Sequence, residues 1–245
     1  MSLSTLLSSA FTAAWSAVWI PRCPLCGEVT EEPDVFCPAC LLSMTPVVPP
    51  ICLVCGAELD PAVAPADQVC GRCKFEPPAF AMARAFGRYD GALAEAVRRF
   101  KFRSRRHLLP ATNGLMARAD HEHFGEAIFD MVVPVPLHRA RVTERGFNQA
   151  ADLARAVARH RGIPLVQSAL VRRKDTLPQY GLNLKERRRN VEGAFKVAQP
   201  EKIRDRRILL VDDIMTTGAT VNECARALRQ AKAGEVCVLT LARAV

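Results

Sequence analysis

Outside its first twenty residues the sequence holds no apolar run long enough to cross a bilayer, and no basic segment precedes that first run. The two absences argue against a membrane-spanning chain and against a secretory leader. Acidic residues are in deficit as well, 25 against 34 lysines and arginines, which leaves a formal charge of +9. The surplus favours anionic partners, pyrophosphate groups or nucleic acid, without choosing between them. Disorder is excluded, because 49% of the 245 residues are apolar, enough for the core of one large or two modest domains. In residues 1–20, Leu3, Leu6, Leu7, Phe11, Trp15, Val18 and Trp19 are interrupted by seven serines and threonines. This stretch reads as an amphipathic docking helix, with a membrane-surface helix as the alternative. A cytoplasmic protein is expected.

What the chain has in quantity is cysteine, ten in all, of which eight fall in four Cys-x-x-Cys pairs. The pairs are Cys23/Cys26, Cys37/Cys40, Cys52/Cys55 and Cys70/Cys73, with ten residues between the first two and fourteen between the last two. Each pair can clamp two corners of a tetrahedron, so one metal is assigned to 23/26/37/40 and a second to 52/55/70/73. Crossed pairing between the sites stays open. Such even spacing suits chelation better than disulfides; zinc is expected, with an iron–sulfur cluster as the alternative. Four sulfurs leave no coordination position for water, so the sites read as structural staples for a segment of about fifty residues. Two zinc ions so bound would bring the formal charge down to about +5. Gly27, Gly56 and Gly71 each follow a ligand, where they can free backbone N–H groups to approach sulfur. Cys224 and Cys237 lie in later periodic segments and read as core residues.

Pro77-Pro-Ala-Phe80 marks a boundary between a cysteine-rich unit, residues 21–76, and a larger one, residues 80–245. In the second unit residues 81–89 read as a strand, and Asp90 can cap a helix running to Phe102. Its end carries Arg98, Arg99, Lys101, Arg103, Arg105 and Arg106 with two phenylalanines between them. That composition suits backbone and stacking contacts to single-stranded nucleic acid; the alternative is an amphipathic helix with Val97 and Phe100 buried and its cations solvated. Residues 130–136 form a second strand ending at Pro136, followed by His138, Arg139, Arg141 and Arg145, cations placed after a strand where a pyrophosphate would need them. Residues 148–161 are helical, with Ala151, Leu153, Ala154, Val157 and Ala158 inward. Residues 170–173 and 193–197 read as strands. Between them, residues 176–190 with Gln179, Arg187, Arg188 and Asn190 are polar and lack a clear apolar face, which suits a mobile lid or else a surface helix with a basic face. Residues 235–242 close the chain as a strand.

The densest signal is Ile208-Leu-Leu-Val-Asp-Asp-Ile-Met-Thr-Thr-Gly-Ala-Thr220. Residues 208–211 are expected to be a buried strand, and residues 221–232 a helix with Val221, Ala225, Leu228 and Ala231 on one face. Asp212 and Asp213 then fall at the carboxyl end of a strand, where open α/β sheets bind ligands. Thr216, Thr217, Gly218, Ala219 and Thr220 offer consecutive backbone N–H groups, hydroxyls and a helix N-terminus to a phosphate. Two adjacent carboxylates are costly there unless a cation or a hydroxyl-rich ligand uses them.

This stretch resembles the 5-phosphoribosyl-1-pyrophosphate (PRPP) motif of type I phosphoribosyltransferases. The chain as a whole is similar to the ComF-like family through its cysteine pairs, Arg99-Phe-Lys-Phe102, Val133-Pro-Val-Pro136, Arg145-Gly-Phe-Asn-Gln149, Gln179, residues 187–190 and the PRPP motif. The resemblance implies an α/β phosphoribosyltransferase fold, a central mostly parallel sheet flanked by helices, behind a small amino-terminal double zinc ribbon. It also implies that Asp212 and Asp213 face ribose directly or through Mg²⁺, that residues 216–220 wrap the 5′-phosphate, and that some members take part in DNA uptake. Pro136, His138, Arg139 and Arg141 would line the PRPP site, with Arg145 beside the leaving group. Thr216 stands where some purine-using relatives carry an acidic base, which argues against that version of the chemistry. Two functions follow: a Mg²⁺-dependent phosphoribosyltransferase of unidentified acceptor, or a PRPP-sensing scaffold that binds single-stranded DNA or competence-machinery proteins.

Overall fold

The apolar run at residues 208–211 forms the interior of a four-stranded parallel sheet, in a computed structural model that describes residues 20–100, 107–174 and 183–244. The expected helix of residues 1–20, apart from Ile20, lies outside the described residues. The sheet order is β1 (Met82–Arg88), β6 (Glu235–Arg243), β5 (Arg207–Met215), β2 (Met131–Pro134). All three pairings are parallel, so all four strands deliver their carboxyl ends to one edge. A second, antiparallel pair joins β3 (Leu170–Arg172) to β4 (Phe195–Val197). The expected architecture, a central parallel sheet flanked by helices behind a small cysteine-rich unit, is the one found.

Alternate residues of β5 point to opposite faces, and each face has its own core. Leu209 and Val211 pack with Leu239 and Leu241 of β6 against α4 (Leu109–Phe124) and α6 (Gln149–Arg161). Ile208 and Leu210 pack with Val236 and Val238 against the short α8 (Pro200–Ile203), through Ile203, and against α9 (Ala219–Gln230), through Val221, Cys224, Ala225 and Leu228. Cys224 and Cys237 are buried, as read, and burial pushes the Cys237 thiol up to about 11. The α4–α6 layer is pinned by a buried ion pair: Arg161 Nε donates to Asp120 at 2.7 Å, and its other nitrogens donate to the carbonyls of Phe124 and Ala127.

β5 runs four residues beyond the expected end at Val211. The paired carboxylates break the apolar pattern, yet β6 keeps its partner in register through Asp212 to Thr240 and Met215 to Arg243. The helix through Phe102 is seen as α3 (Gly91–Phe100), the residues beyond it lying outside the described set. The described part of the lid segment is α7 (Leu184–Val191), a helix closed by a capping box between Asn183 and Glu186. Among the described residues no helix is long and apolar enough to cross a membrane.

The cysteine-rich unit carries two short helices, α1 (Pro38–Leu42) and α2 (Gly71–Phe75), each beginning at the second Cys-x-x-Cys pair of its cluster. It is stitched to β1 along its length. Arg88 N donates to Thr45 O and Ala83 N to Val54 O, both within 2.9 Å. Gly56, at φ +66°, lies so close to the Ala83 carbonyl that a Cβ would stand 2.6 Å from its oxygen. A side chain at residue 56 would therefore push the second knuckle off the sheet.

Candidate metal centres and sugar-phosphate site

The eight cysteines divide as expected. Cys23, Cys26, Cys37 and Cys40 form one cluster and Cys52, Cys55, Cys70 and Cys73 the other, with the sulfurs of each within 4.8 Å of one another. The closest pairs, Cys26 to Cys37 at 3.6 Å and Cys55 to Cys70 at 3.8 Å, match the edge of about 3.8 Å that a tetrahedron with Zn–S bonds near 2.3 Å requires. Backbone N–H groups already point at sulfur: Cys40 N to Cys37, Cys55 N to Cys52 and Cys70 N to Cys52, at 3.3–3.5 Å. Burial pushes the Cys23 thiol up, but N–H donors from Cys37, Cys26 and Leu25 outweigh it and bring it down to about 6. Cys52, under the same balance, comes down to about 7. In the same clusters burial and the neighbouring cysteines push the Cys40 and Cys73 thiols up, so it is the donor set and the spacing that fit structural zinc.

At the carboxyl edge of the sheet, Asp212 and Asp213 lie half-buried on β5. The Asp213 N–H donates to Asp212 Oδ1 at 2.9 Å, which fixes the first carboxylate along the chain. Strand alternation sends Asp212 to the α9 face and Asp213 to the α6 face. The charge of Asp212 reinforces burial in pushing up the buried Cys224 thiol in the middle of α9. Thr216 and Thr217 follow; Thr217 Oγ1 accepts from the Ala219 N–H at 3.3 Å. Gly218 then turns at φ +76° into α9, a left-handed position that leaves the helix N-terminus without a side-chain cap. Ala219 and Thr220 begin that helix, so the loop offers a phosphate the arrangement expected of it.

The neighbouring strand end carries the second set of residues. Val135 N donates to Val211 O, and Pro136 is buried. His138 is the N-cap of α5 (Arg139–Arg145), which holds Arg139, Arg141 and Arg145. Arg141 is engaged by Glu144 at 2.9 Å, while Arg145 is half-buried at the helix end before Gly146. Asn148 locks this region by donating to Val135 O and accepting from Ala150 N, both at 3.1 Å. The parallel sheet thus sets the post-β2 and post-β5 segments on one edge.

α7 brings the basic residues of the lid segment to that edge from the other side. Arg187 lines a cavity with Thr216 and Thr217, and Arg188 is ion-paired to Glu76, whose carboxyl it holds below the usual range. Asn190 is half-buried; Gln179 lies outside the described residues. In the nucleic-acid candidate, Arg98 and Arg99 both bind Glu95, at 2.9 and 2.6 Å, and Arg99 also donates to Leu25 O at 2.7 Å. Lys101, Arg103, Arg105 and Arg106 fall outside the described residues.

Two residues that sequence reasoning passed over stand beside the loop that follows β5. Arg72, inside the last Cys-x-x-Cys knuckle, places Nη2 3.9 Å from where a Cβ on Gly218 would lie. It lines both cavities that border the loop, of about 290 and 440 Å³. Arg243, the last residue of β6, is 7% exposed and donates to Cys55 Sγ at 3.6 Å. The rule that singled out Asp212, a charged residue ending an apolar strand, applies equally to Arg243. Nothing in the sequence announces Arg72, because its position depends on how the knuckle packs on α9.

Comparison with known proteins follows this division. Residues 14–74 match the double zinc ribbon domain and residues 142–244 the phosphoribosyl transferase domain. The chain is 32% identical to competence protein F of Haemophilus influenzae over 228 residues, covering 91% of this chain and 97% of that one. It is 28% identical to DNA utilization protein YhgH of Escherichia coli K12 over 224 residues, 90% of this chain and 89% of that one. With competence protein ComFC of Bacillus subtilis it shares 27% identity over 215 residues, 86% of each.

Proposed function

The chain belongs to the family of competence protein F, and from that premise we propose that it binds PRPP with Mg²⁺ at the carboxyl edge of its sheet and transfers the phosphoribosyl group to an acceptor, in the service of DNA uptake. One observation carries the reading. The paired carboxylates of β5 lead, five residues after Asp213, through Thr216 and Thr217 to the left-handed Gly218 and the N-terminus of α9, which carries no side-chain cap. On this reading a ribose 5-phosphate lies with its hydroxyls toward Asp212 and Asp213 and its phosphate on residues 216–220.

The chemistry asks for charge stabilisation. The acceptor nitrogen forms a bond to the anomeric carbon, the carbon–oxygen bond to pyrophosphate breaks through an oxocarbenium-like state, and the acceptor's proton passes to pyrophosphate or water. Mg²⁺, when bound, supplies electrostatic stabilisation of the leaving group. Asp212 and Asp213 hold and orient the ribose with its metal. Arg139 and Arg145 offer cations to the pyrophosphate, and Arg141 does so after exchanging Glu144 for the ligand. Thr216 offers a hydroxyl and no base, so the acceptor has to be a nucleophile that needs none.

The same Thr216 favours a second reading, a PRPP-sensing scaffold that binds single-stranded DNA or competence partners without turnover. Calorimetric titration with PRPP and Mg²⁺, followed by assay of pyrophosphate release with candidate acceptors, separates the two. Binding with release that falls by about a hundredfold or more in Asp213→Asn supports the transferase. Binding without release under any acceptor supports the scaffold. Undiminished release from Asp213→Asn would overturn the assignment of the paired carboxylates, and no PRPP binding at all would overturn both readings.

A further inference from the structure

Resting on the PRPP reading, we propose that the cavity of about 440 Å³ between the second cysteine cluster and Thr216–Thr217 is a separate subsite for an anionic group, a carboxylate or a phosphate, of the co-substrate that meets PRPP. Its volume falls in the range of about 300–1,000 Å³ usual for small-molecule pockets. Asp212 and Asp213 are absent from its lining, which separates it from the ribose position, and Thr216 and Thr217 form one wall, which sets an occupant beside the sugar phosphate.

Arg243 gives the cavity its chemistry. It ends β6 in register with Met215, so strand pairing holds it rigidly next to the loop that follows β5. One terminal nitrogen donates to Cys55 Sγ; the other, Nη1, is buried and has no hydrogen-bond partner among the described residues. A guanidinium withdrawn from water with a donor left over is unfavourable until something supplies an acceptor. The rest of the lining points the same way. Arg72, Arg88 and Arg187 also border the cavity, against a single carboxylate, Glu58. Arg88 is already committed to Glu58 and Asp90. A zinc ion on four thiolates carries a net charge of about −2, which Arg243 and Arg72 offset from their side of the cluster, and Arg187 adds a further cation. Guanidinium forks match a carboxylate or a phosphate equally well, so the two are to be told apart by experiment.

The test uses the full, zinc-loaded chain with PRPP and Mg²⁺ at saturation, so that the sugar-phosphate positions are filled. Inorganic phosphate and benzoate are titrated in turn by calorimetry into the wild type, Arg243→Gln and Val47→Glu. Val47 lines the cavity and is not one of the zinc-binding cysteines, so a carboxylate there repels an anion without removing a thiolate; melting temperature and zinc content check the folding of both variants. One probe is expected to bind once per chain, at least about tenfold more weakly to both variants, with PRPP affinity held within about twofold. A preference for benzoate identifies a carboxylate subsite and one for phosphate a phosphate subsite. The proposal is overturned if neither probe binds the PRPP-saturated wild type, if both variants bind as the wild type does, or if the variants lose PRPP and probe together, since the cavity would then belong to PRPP itself. Should the wild type bind no PRPP, the function reading fails on its own. The probes are then titrated without PRPP, and loss of binding in both variants still upholds the anion subsite.

Discussion

The two cysteine clusters have the same ligands and the same local fold, yet they are built into different halves of the molecule. The first packs Cys23, Cys37 and Cys40 into the core with Phe36, Met44, Leu93 and Phe100, on the α4–α6 side of the sheet. Its polar ties are to surface groups, such as Arg99 donating to Leu25 O. The second packs Cys52, Cys55 and Cys73 into the opposite core with Phe80, Ala83, Met215 and Val221. It also reaches the loop after β5 through Arg72 and the end of β6 through Arg243. Identical chemistry therefore serves two purposes. The first cluster holds a layer in place, whereas the second, through Arg72, also borders the loop proposed to hold the sugar phosphate.

The most severe way to break this comparison is to remove one metal at a time. Cys52→Ser and Cys26→Ser should each lower zinc content from two ions to one per chain, as read by elemental analysis. Structural zinc carries about 10–16 kcal/mol of binding free energy in small domains, so local unfolding is expected around either vacancy. In Cys52→Ser that unfolding removes Arg72 and exposes the loop, and PRPP affinity should fall by about a hundredfold or more. Cys26→Ser should melt at lower temperature but bind PRPP within about threefold of the wild type. Equal losses in both variants would show that the sheet transmits the damage and that the two clusters are not functionally distinct.

A milder comparison uses glycines. Gly218 and Gly27 both hold positive φ, +76° and +83°, so alanine costs each about 1–2 kcal/mol of backbone strain. At Gly27 the new methyl meets nothing within 4 Å, whereas at Gly218 it would lie 2.7 Å from the Met215 methyl and turn toward Arg72. Gly218→Ala should weaken PRPP about tenfold or more by reshaping the phosphate loop, and Gly27→Ala should leave PRPP titrations unaltered. Arg72→Gln follows in size, an expected loss of about tenfold in PRPP affinity with both zinc ions retained. Retention of full affinity would confine the second cluster to support.

Most of the framework behind these contrasts was legible in the chain. Residues 208–211 and 130–136 are continuous apolar runs because strands buried on both faces need no alternation. The cysteine pairing followed from loop lengths, and the apolar positions Ala151, Leu153, Ala154, Val157 and Ala158 announced α6. What escaped were facts of juxtaposition. The register of β5 with β6 carried the strand past Val211 to Met215, since pairing and not hydropathy decides where a strand ends. Residues 176–190 suggested a lid because they are polar; their described part belongs to α7, a helix closed by a capping box, from which Arg188 reaches Glu76 across the boundary between the two units. Arg72 and Arg243 acquire meaning only when the second knuckle is folded onto the loop.

The smallest expected effect concerns the first cluster's side of the molecule, where Glu95 binds both Arg98 and Arg99. These are exposed ion pairs, and Glu95→Gln should produce no resolvable change in melting temperature. Its value lies in what it does to charge. If residues 98–106 contact single-stranded DNA, Glu95 opposes that contact, and neutralising it frees two guanidinium groups for phosphate. The affinity for a labelled oligonucleotide, measured by fluorescence anisotropy, should then rise about two- to threefold, and the dependence of log K on log salt should steepen by up to about 0.7 per added phosphate contact. Neutralising Arg105 and Arg106 should move both quantities in the opposite direction. An affinity unchanged by either substitution would remove the nucleic-acid role from this patch. Arg99 would then have the same task as the cluster beneath it, fastening the ribbon to α3 through Leu25, and the contrast between the two halves would stand sharper for it.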